Sequence, residues 1–241
     1  MTDKTASTTR PRSEAGRPPR KRYWGRWVLA SVAALVVLIV AATGLFIKLQ
    51  PSPPPLALPH GAAPAPASSA DGTWNVAAGS VAGFRVPESA LGFSNDVVGR
   101  TRAVTGTIVL SGDHVIRATL RVDLTAVTVS GKPQPQFATS LDTRADPVAT
   151  FALTRPASLG PGFISGAIIR VTAVGQLSMR GVARPVTVTL SVRRSGPGLQ
   201  AAGSIPVAFA RWGIKEPAGL GFLGSLAQHG TAEFLVFLSK S

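Results

Sequence analysis

The 241-residue chain has no cysteine. That excludes disulfide staples, thiolate catalysis, zinc fingers, cysteine-ligated iron–sulfur clusters and lipidation on an N-terminal cysteine. Tyrosine occurs once and aromatics make up 6% of the residues, too few for a base-stacking platform on single-stranded nucleic acid. Charged residues are 15%, against the usual quarter. Glycine and proline together are about 19%, below the level of a low-complexity chain. No Walker loop, dinucleotide fingerprint, G-x-S-x-G elbow or HExxH pair is present. Such a chain stabilises itself by apolar packing alone and carries no recognisable catalytic signature.

What is present divides into four parts. Residues 1–26 form a basic tail, with eight Lys/Arg against two acids, a net +6 of the total +14. Residues 27–48 read as a transmembrane helix. Residues 28–47 (VLASVAALVVLIVAATGLFI) are 20 uncharged positions, and at 1.5 Å per residue they reach about 30 Å, the hydrocarbon thickness. Arg20, Lys21, Arg22 and Arg26 precede this run, and Tyr23, Trp24 and Trp27 mark its interface. The positive-inside rule then puts the N-terminus in the cytoplasm and the remainder outside. A cleaved signal peptide is the competing reading, and it also exports the rest. Residues 49–70 are a Pro/Ala-rich linker whose seven prolines favour extended polyproline II, read as a spacer. Residues 71–241 form the folded domain.

That domain reads as all-β. Ile116, Ala118, Leu120, Val122 and Leu124 alternate with Arg117, Thr119, Arg121 and Asp123. Val186, Val188, Leu190 and Val192 do the same, as do Gly175, Leu177 and Met179. Period two means one buried and one wet face. Further strands are expected at 81–86, 104–110, 166–172, 199–209 and 232–238. Turns are expected at Ser111-Gly112-Asp113, Arg180-Gly181-Val182 and Ser195-Gly196-Pro197-Gly198. A short helix or turn is expected near 134–143. About eight antiparallel strands close into a barrel or pair as a sandwich, and periodicity does not choose. Arg117, Arg121, Arg170, Arg180 and Arg193 read as solvated outer positions. His229 with Asp113 or Glu233 would be the first suspects for catalysis, although no enzyme is expected. No metal site and no cofactor are expected.

Several motifs, in order, resemble the YceI-like family of exported lipid-binding proteins. Trp74-Asn75-Val76 and Ser80–Val86 are similar to its opening strand. Val98-Gly99-Arg100 and Val104–Ile108 resemble its paired glycine strands, and Val115–Asp123 its following element. Asp146–Phe151 is similar to its turn into a strand. Gly175-Gln176-Leu177-Ser178-Met179-Arg180-Gly181-Val182-Ala183-Arg184-Pro185-Val186 is the most specific match. Phe209–Ile214 resembles the end of the penultimate strand. The likeness covers about residues 71–240. The N-terminal anchor and proline linker stand where soluble members have a simple signal peptide.

The resemblance implies a lipocalin-like, eight-stranded antiparallel barrel that holds an isoprenoid lipid or quinone. Inward positions would be Ile108, Leu120, Leu177, Met179 and Val188, with Gly106, Ala118 and Gly175 leaving room for a chain. Phe84, Phe93, Leu120, Phe137, Phe151, Leu177, Met179, Phe209, Trp212 and Phe222 are the candidates for lining or gating. Arg211 is the candidate head-group partner, because a guanidinium suits phosphate; an ion pair with Glu233 is its alternative. The expected partners are an isoprenoid lipid or quinone and the membrane, with no nucleic acid; a homodimer is left open. The competing function is an envelope interaction module with a filled core.

Overall fold

The structure is a computed structural model. It describes residue 35 and residues 37–39, 52–61, 63–65, 68–90, 93–215 and 224–241. The expected membrane span at 28–47 lies outside these, except that Leu35, Val37, Leu38 and Ile39 are helical and exposed. Among the described residues no helix is long and apolar enough to cross a membrane. Residues Gly44–Ser241 form a compact unit of their own.

Alternation produces the strands, and small turn residues connect them. In chain order they are β1 (Gly72–Val76), β2 (Val81–Ala90), β3 (Phe93–Thr101), β4 (Val104–Ser111), β5 (His114–Asp123), β6 (Thr128–Val129), β7 (Val148–Leu153), β8 (Ala157–Ser158), β9 (Ile169–Met179), β10 (Val182–Ser195), β11 (Gly198–Ala208), β12 (Gly224–Leu226) and β13 (His229–Lys240). One helix, α1 (Pro135–Leu141), lies between β6 and β7. The expected turns all occur. At the β9–β10 hairpin Arg180 and Gly181 both have positive φ, the pattern of a two-residue turn that matches strand twist.

The strands run antiparallel in the order β1-β4-β5-β7-β9-β10-β11-β13, and β13 pairs back with β1 through Trp74↔Lys240. Eight positions therefore close a barrel, and the sandwich alternative is set aside. Along the first half of β13 the partner is β2 in place of β1. The two are one strand interrupted at Ala77–Ser80. The Ser80 hydroxyl sits in the break, donating to the Ala77 carbonyl (2.8 Å) and accepting from the Phe237 amide (3.0 Å). β3 and β4 likewise continue each other, so the β2–β3 hairpin extends one side of the barrel at the end that α1 covers.

Three readings of the alternation change. The expected strands at 166–172 and 175–180 are one strand, β9, because Gly175 remains in the ladder opposite Val186. Ile116 is 49% exposed instead of inward. A bulge between Val109 and Leu110 shifts the register so that Val115 pairs with Leu110 and Ala118 with Ile108, and Val115 faces inward in its place. Gly106 and Gly175 do not leave space for a chain. A Cβ at Gly175 would lie 2.4 Å from the Phe151 ring and 2.6 Å from the Ala152 carbonyl, and one at Gly106 would lie 2.3 Å from the Thr119 carbonyl. The room is already taken by neighbouring strands and rings. Gly175→Ala is accordingly expected to cost about 1–3 kcal/mol by overpacking, read as a lowered midpoint in thermal unfolding.

The described part of the proline-rich segment is docked on the barrel. Ser52 donates to the Asp96 carbonyl (2.8 Å). Arg85 and Arg100 donate to the carbonyls of Pro53 (2.6 Å) and Pro54 (3.2 Å). Arg193 donates to those of Pro59 and Gly61, and Arg194 to that of Ser68 (2.9 Å). The segment ends at Ala70, whose carbonyl accepts from the Trp74 indole (2.8 Å). It thus crosses the outer wall from β3 over β2 and β13 to β10, then reaches β1. Proline cannot donate from its own nitrogen, but its carbonyl is free to accept. Arg193 is therefore only 4% exposed, not a solvated outer residue, and Arg180 is half-buried with its guanidinium on the Ser140 carbonyl. Arg117, Arg121 and Arg170 are exposed as expected.

Candidate functional site

The inward face of the barrel lines two apolar chambers. The upper, of about 170 Å³, lies under α1. Of the sequence-derived candidates, Phe84, Leu120, Phe137, Phe151, Leu177, Met179 and Phe209 line it. They come from β2, β5, α1, β7, β9 and the turn after β11, and the barrel's closure brings them together. The lower chamber, of about 80 Å³, is lined by Ile108, Ala118, Val115 and the buried Phe163 among others. Leu120, Val188, Phe234 and Val236 line both chambers and form a waist between them.

At seven residues α1 is too short to be stable alone. Pro135 pre-sets its first turn, and Asp142 ends it in the left-handed conformation. Packing holds it over the chamber. The Phe137 ring lies 5.1 Å from that of Phe84, tilted by 43°. The Arg180 guanidinium from the β9–β10 turn donates to the Ser140 carbonyl.

The other candidates sit elsewhere. Trp212 is 1% exposed and packs in the wall, its indole donating to the Leu177 carbonyl at 3.4 Å. Arg211 is exposed, its guanidinium 5.4 Å from the Trp212 ring centroid. Phe222 and the side chain of Phe93 lie outside the described residues. The alternative pairing of Arg211 with Glu233 does not occur. Glu233 is 5% exposed on the outer side of β13, and its oxygens accept from Arg85 Nε (2.8 Å) and Arg100 Nη1 (2.7 Å). Arg85 also reaches Asp96 at 2.8 Å. Burial alone would raise the Glu233 carboxyl; the two guanidinium hydrogen bonds and charges outweigh it and hold the group below its ordinary range. Arg85 is raised above its ordinary value, since the bonds to Glu233 and Asp96 overcome its own desolvation.

The suspected catalytic grouping is not assembled. His229 is exposed at the start of β13. Asp113 lies in the β4–β5 turn, at the end of β5 remote from α1, and its carboxylate is 2.6 Å from the neighbouring His114. Among the described residues no three metal-ligating side chains gather. Sequence reasoning missed the waist residues Phe234 and Val236. Their signal was the alternation of Ala232, Phe234, Val236 and Leu238 along β13.

The model of the YceI-like domain matches residues 74–232, about two thirds of the chain. The chain belongs to the YceI-like family. No curated protein matches it. Among solved structures, a polyisoprenoid binding domain from Saccharophagus degradans implicated in plant cell wall breakdown aligns with TM-score 0.54 at 18% identity, over 70% of this chain and 98% of that one. BcnA from Burkholderia cenocepacia aligns with TM-score 0.49 at 15% identity, over 65% of this chain and 95% of that one. The first of these likenesses is one of fold: both are barrels. Within this YceI-like barrel the chambers, the α1 cover and the waist are built from the side chains described above.

Proposed function

We propose that this chain is a membrane-anchored, extracytoplasmic binding protein that holds an isoprenoid lipid or quinone in its barrel and catalyses no reaction. The observation that carries the reading is the apolar upper chamber inside a YceI-like barrel, lined by phenylalanines and aliphatic residues and covered by a short helix. Burying an apolar tail there is worth about 0.8 kcal/mol per methylene and needs no directional chemistry. The Saccharophagus domain of like fold is described as polyisoprenoid binding, which supports the ligand class. The uncharged run at 28–47 behind its basic tail supports the anchor and the export of the barrel.

One observation favours the filled-core interaction module as a second reading. The upper chamber, at about 170 Å³, is smaller than the roughly 300–1,000 Å³ of ordinary ligand pockets. Organic extraction of the purified full chain, followed by mass spectrometry, separates the two. The expected result is a prenyl compound at close to one per protein. An empty extract, before and after incubation with membranes, favours the module. Protease protection of the C-terminal domain in sealed cells tests the topology: it is expected to be cut from outside, and protection would overturn the export.

A further inference from the structure

The docked segment carries a conclusion about orientation, one that rests on the anchor reading. The uncharged run ends at Ile47, and Ser52 is five residues on. An extended chain covers at most about 3.6 Å per residue, so Ser52 stands within about 18 Å of the hydrocarbon edge. Head groups occupy about 5–8 Å of that distance. Ser52 is held on the barrel. Its hydroxyl accepts from the Asp96 amide (3.1 Å) and donates to the Asp96 carbonyl (2.8 Å), and the Pro53 and Pro54 carbonyls after it are held by Arg85 and Arg100. Asp96 pairs with Pro87 on β2, two residues beyond the Arg85–Thr231 pair and three residues from the start of β3 at Phe93. That is the α1 end of the barrel. The 12 residues of β13 run from this end to the other. They span about 40 Å, or about 30 Å along the axis once strand tilt is allowed for. A barrel with its α1 end turned away would carry Ser52 about that far above the bilayer surface, beyond the reach of the chain.

Charge points the same way. Among the described residues, Lys132, Arg144, Arg184, Arg211 and Lys215 are exposed at the α1 end. Lys132 and Arg144 flank α1, Arg184 donates to the Arg211 carbonyl (3.1 Å), and Lys215 follows Ile214 of the upper chamber. The acids of that end, Glu88, Asp123, Asp142 and Asp146, are half-buried. Exposed positive charge on a rim tethered beside head groups suits an anionic lipid surface.

We propose that the α1 end of the barrel docks on the anionic surface of the bilayer, with the proline-rich segment acting as a clamp in place of a spacer. The upper chamber then faces the bilayer, and an apolar ligand crosses little water between the two.

The absence of cysteine allows single labelling sites. Ala138→Cys places a fluorophore on the exposed side of α1, and Ser111→Cys places one at the far end, beside the β4–β5 turn. The full chain is reconstituted in vesicles of phosphatidylglycerol and phosphatidylcholine whose head groups carry nitroxide quenchers. Quenching is expected at 138 and is expected to be lost at 111. Lys132→Glu with Lys215→Glu is expected to lower the quenching at 138 at least about threefold, since each base near an anionic surface contributes about fivefold to the docked population. Equal quenching at the two sites, or stronger quenching at 111, overturns the orientation while leaving the anchor intact. Quenching at 138 that is unmoved by the charge reversals, or unchanged in phosphatidylcholine alone, overturns the anionic partner. A chain that leaves the vesicles in an alkaline wash sinks the anchor reading itself, and the docking with it.

Discussion

Glu233→Ala is expected to lower the stability of the barrel by about 3–5 kcal/mol, the range for removing one partner of a buried ion pair. The side chain is 5% exposed, and those of Arg85 and Arg100 are 14% and 20% exposed. Its loss leaves Arg100 without a carboxylate and Arg85 with Asp96 alone, both where water reaches poorly. It also loosens their grip on the Pro53 and Pro54 carbonyls. For a domain of this size the midpoint is expected to fall by about 10 °C. The pH dependence carries the sign. The folded carboxyl is held below its ordinary value of 4.5, so the unfolded chain binds the proton more readily. The stabilisation is therefore fully present above that value and lost as pH falls through the folded one. Thermal unfolding of the wild type from pH 7 to pH 3 is expected to show this acid loss, and Glu233→Gln is expected to remove part of it. An unchanged acid limb in Glu233→Gln would show that the triad contributes nothing to acid stability.

The domain is expected to need its proline-rich segment. A chain starting at residue 71 loses the carbonyls that receive Arg85, Arg100, Arg193 and Arg194, and the indole partner of Trp74. Each charge-assisted hydrogen bond contributes about 1.5–3 kcal/mol net. Ordering the segment offsets much of this. A chain starting at residue 71 is expected to be less stable than one starting at residue 52 by about 1–3 kcal/mol, the order of one such bond. Arg194 adds a second effect. It shares the inward face with Leu199, is 2% exposed, and its Nε has no partner. Removing the Ser68 carbonyl opens that end of the barrel to water. Comparing the two chains by thermal unfolding checks the point, and equal midpoints would return the segment to the role of a passive spacer.

Much of the barrel was legible because its strands obey period two. Leu177 and Met179, or Val186, Val188, Leu190 and Val192, can satisfy their pattern in only one way against a closed sheet. Six of the seven lining candidates follow from that alternation together with the family motifs; Phe137, on α1, belongs to neither. Ile116 was misread because a bulge is a pairing event: β5 alone gives no sign that β4 skips a partner there. Gly175 was misread for a similar reason, since what fills its space is a ring from a neighbouring strand.

The docked segment was the least legible part. Its acceptors are backbone carbonyls, which any residue supplies, so no side-chain pattern announces them. Their donors are distant: Arg193 and Pro59 are 134 residues apart. The Arg85–Glu233 pair spans 148 residues, and nothing local distinguishes Glu233 from any other strand acid. The sequence by itself determined the apolar run behind a basic tail, the all-β class, the turns and the family, because these depend on composition and on short-range period. Only the tertiary structure decided the division of the interior into two chambers, the pairing of Glu233 and the docking of the described residues between 52 and 70. Those depend on which distant strands closure sets side by side, and on how much space each ring leaves its neighbour.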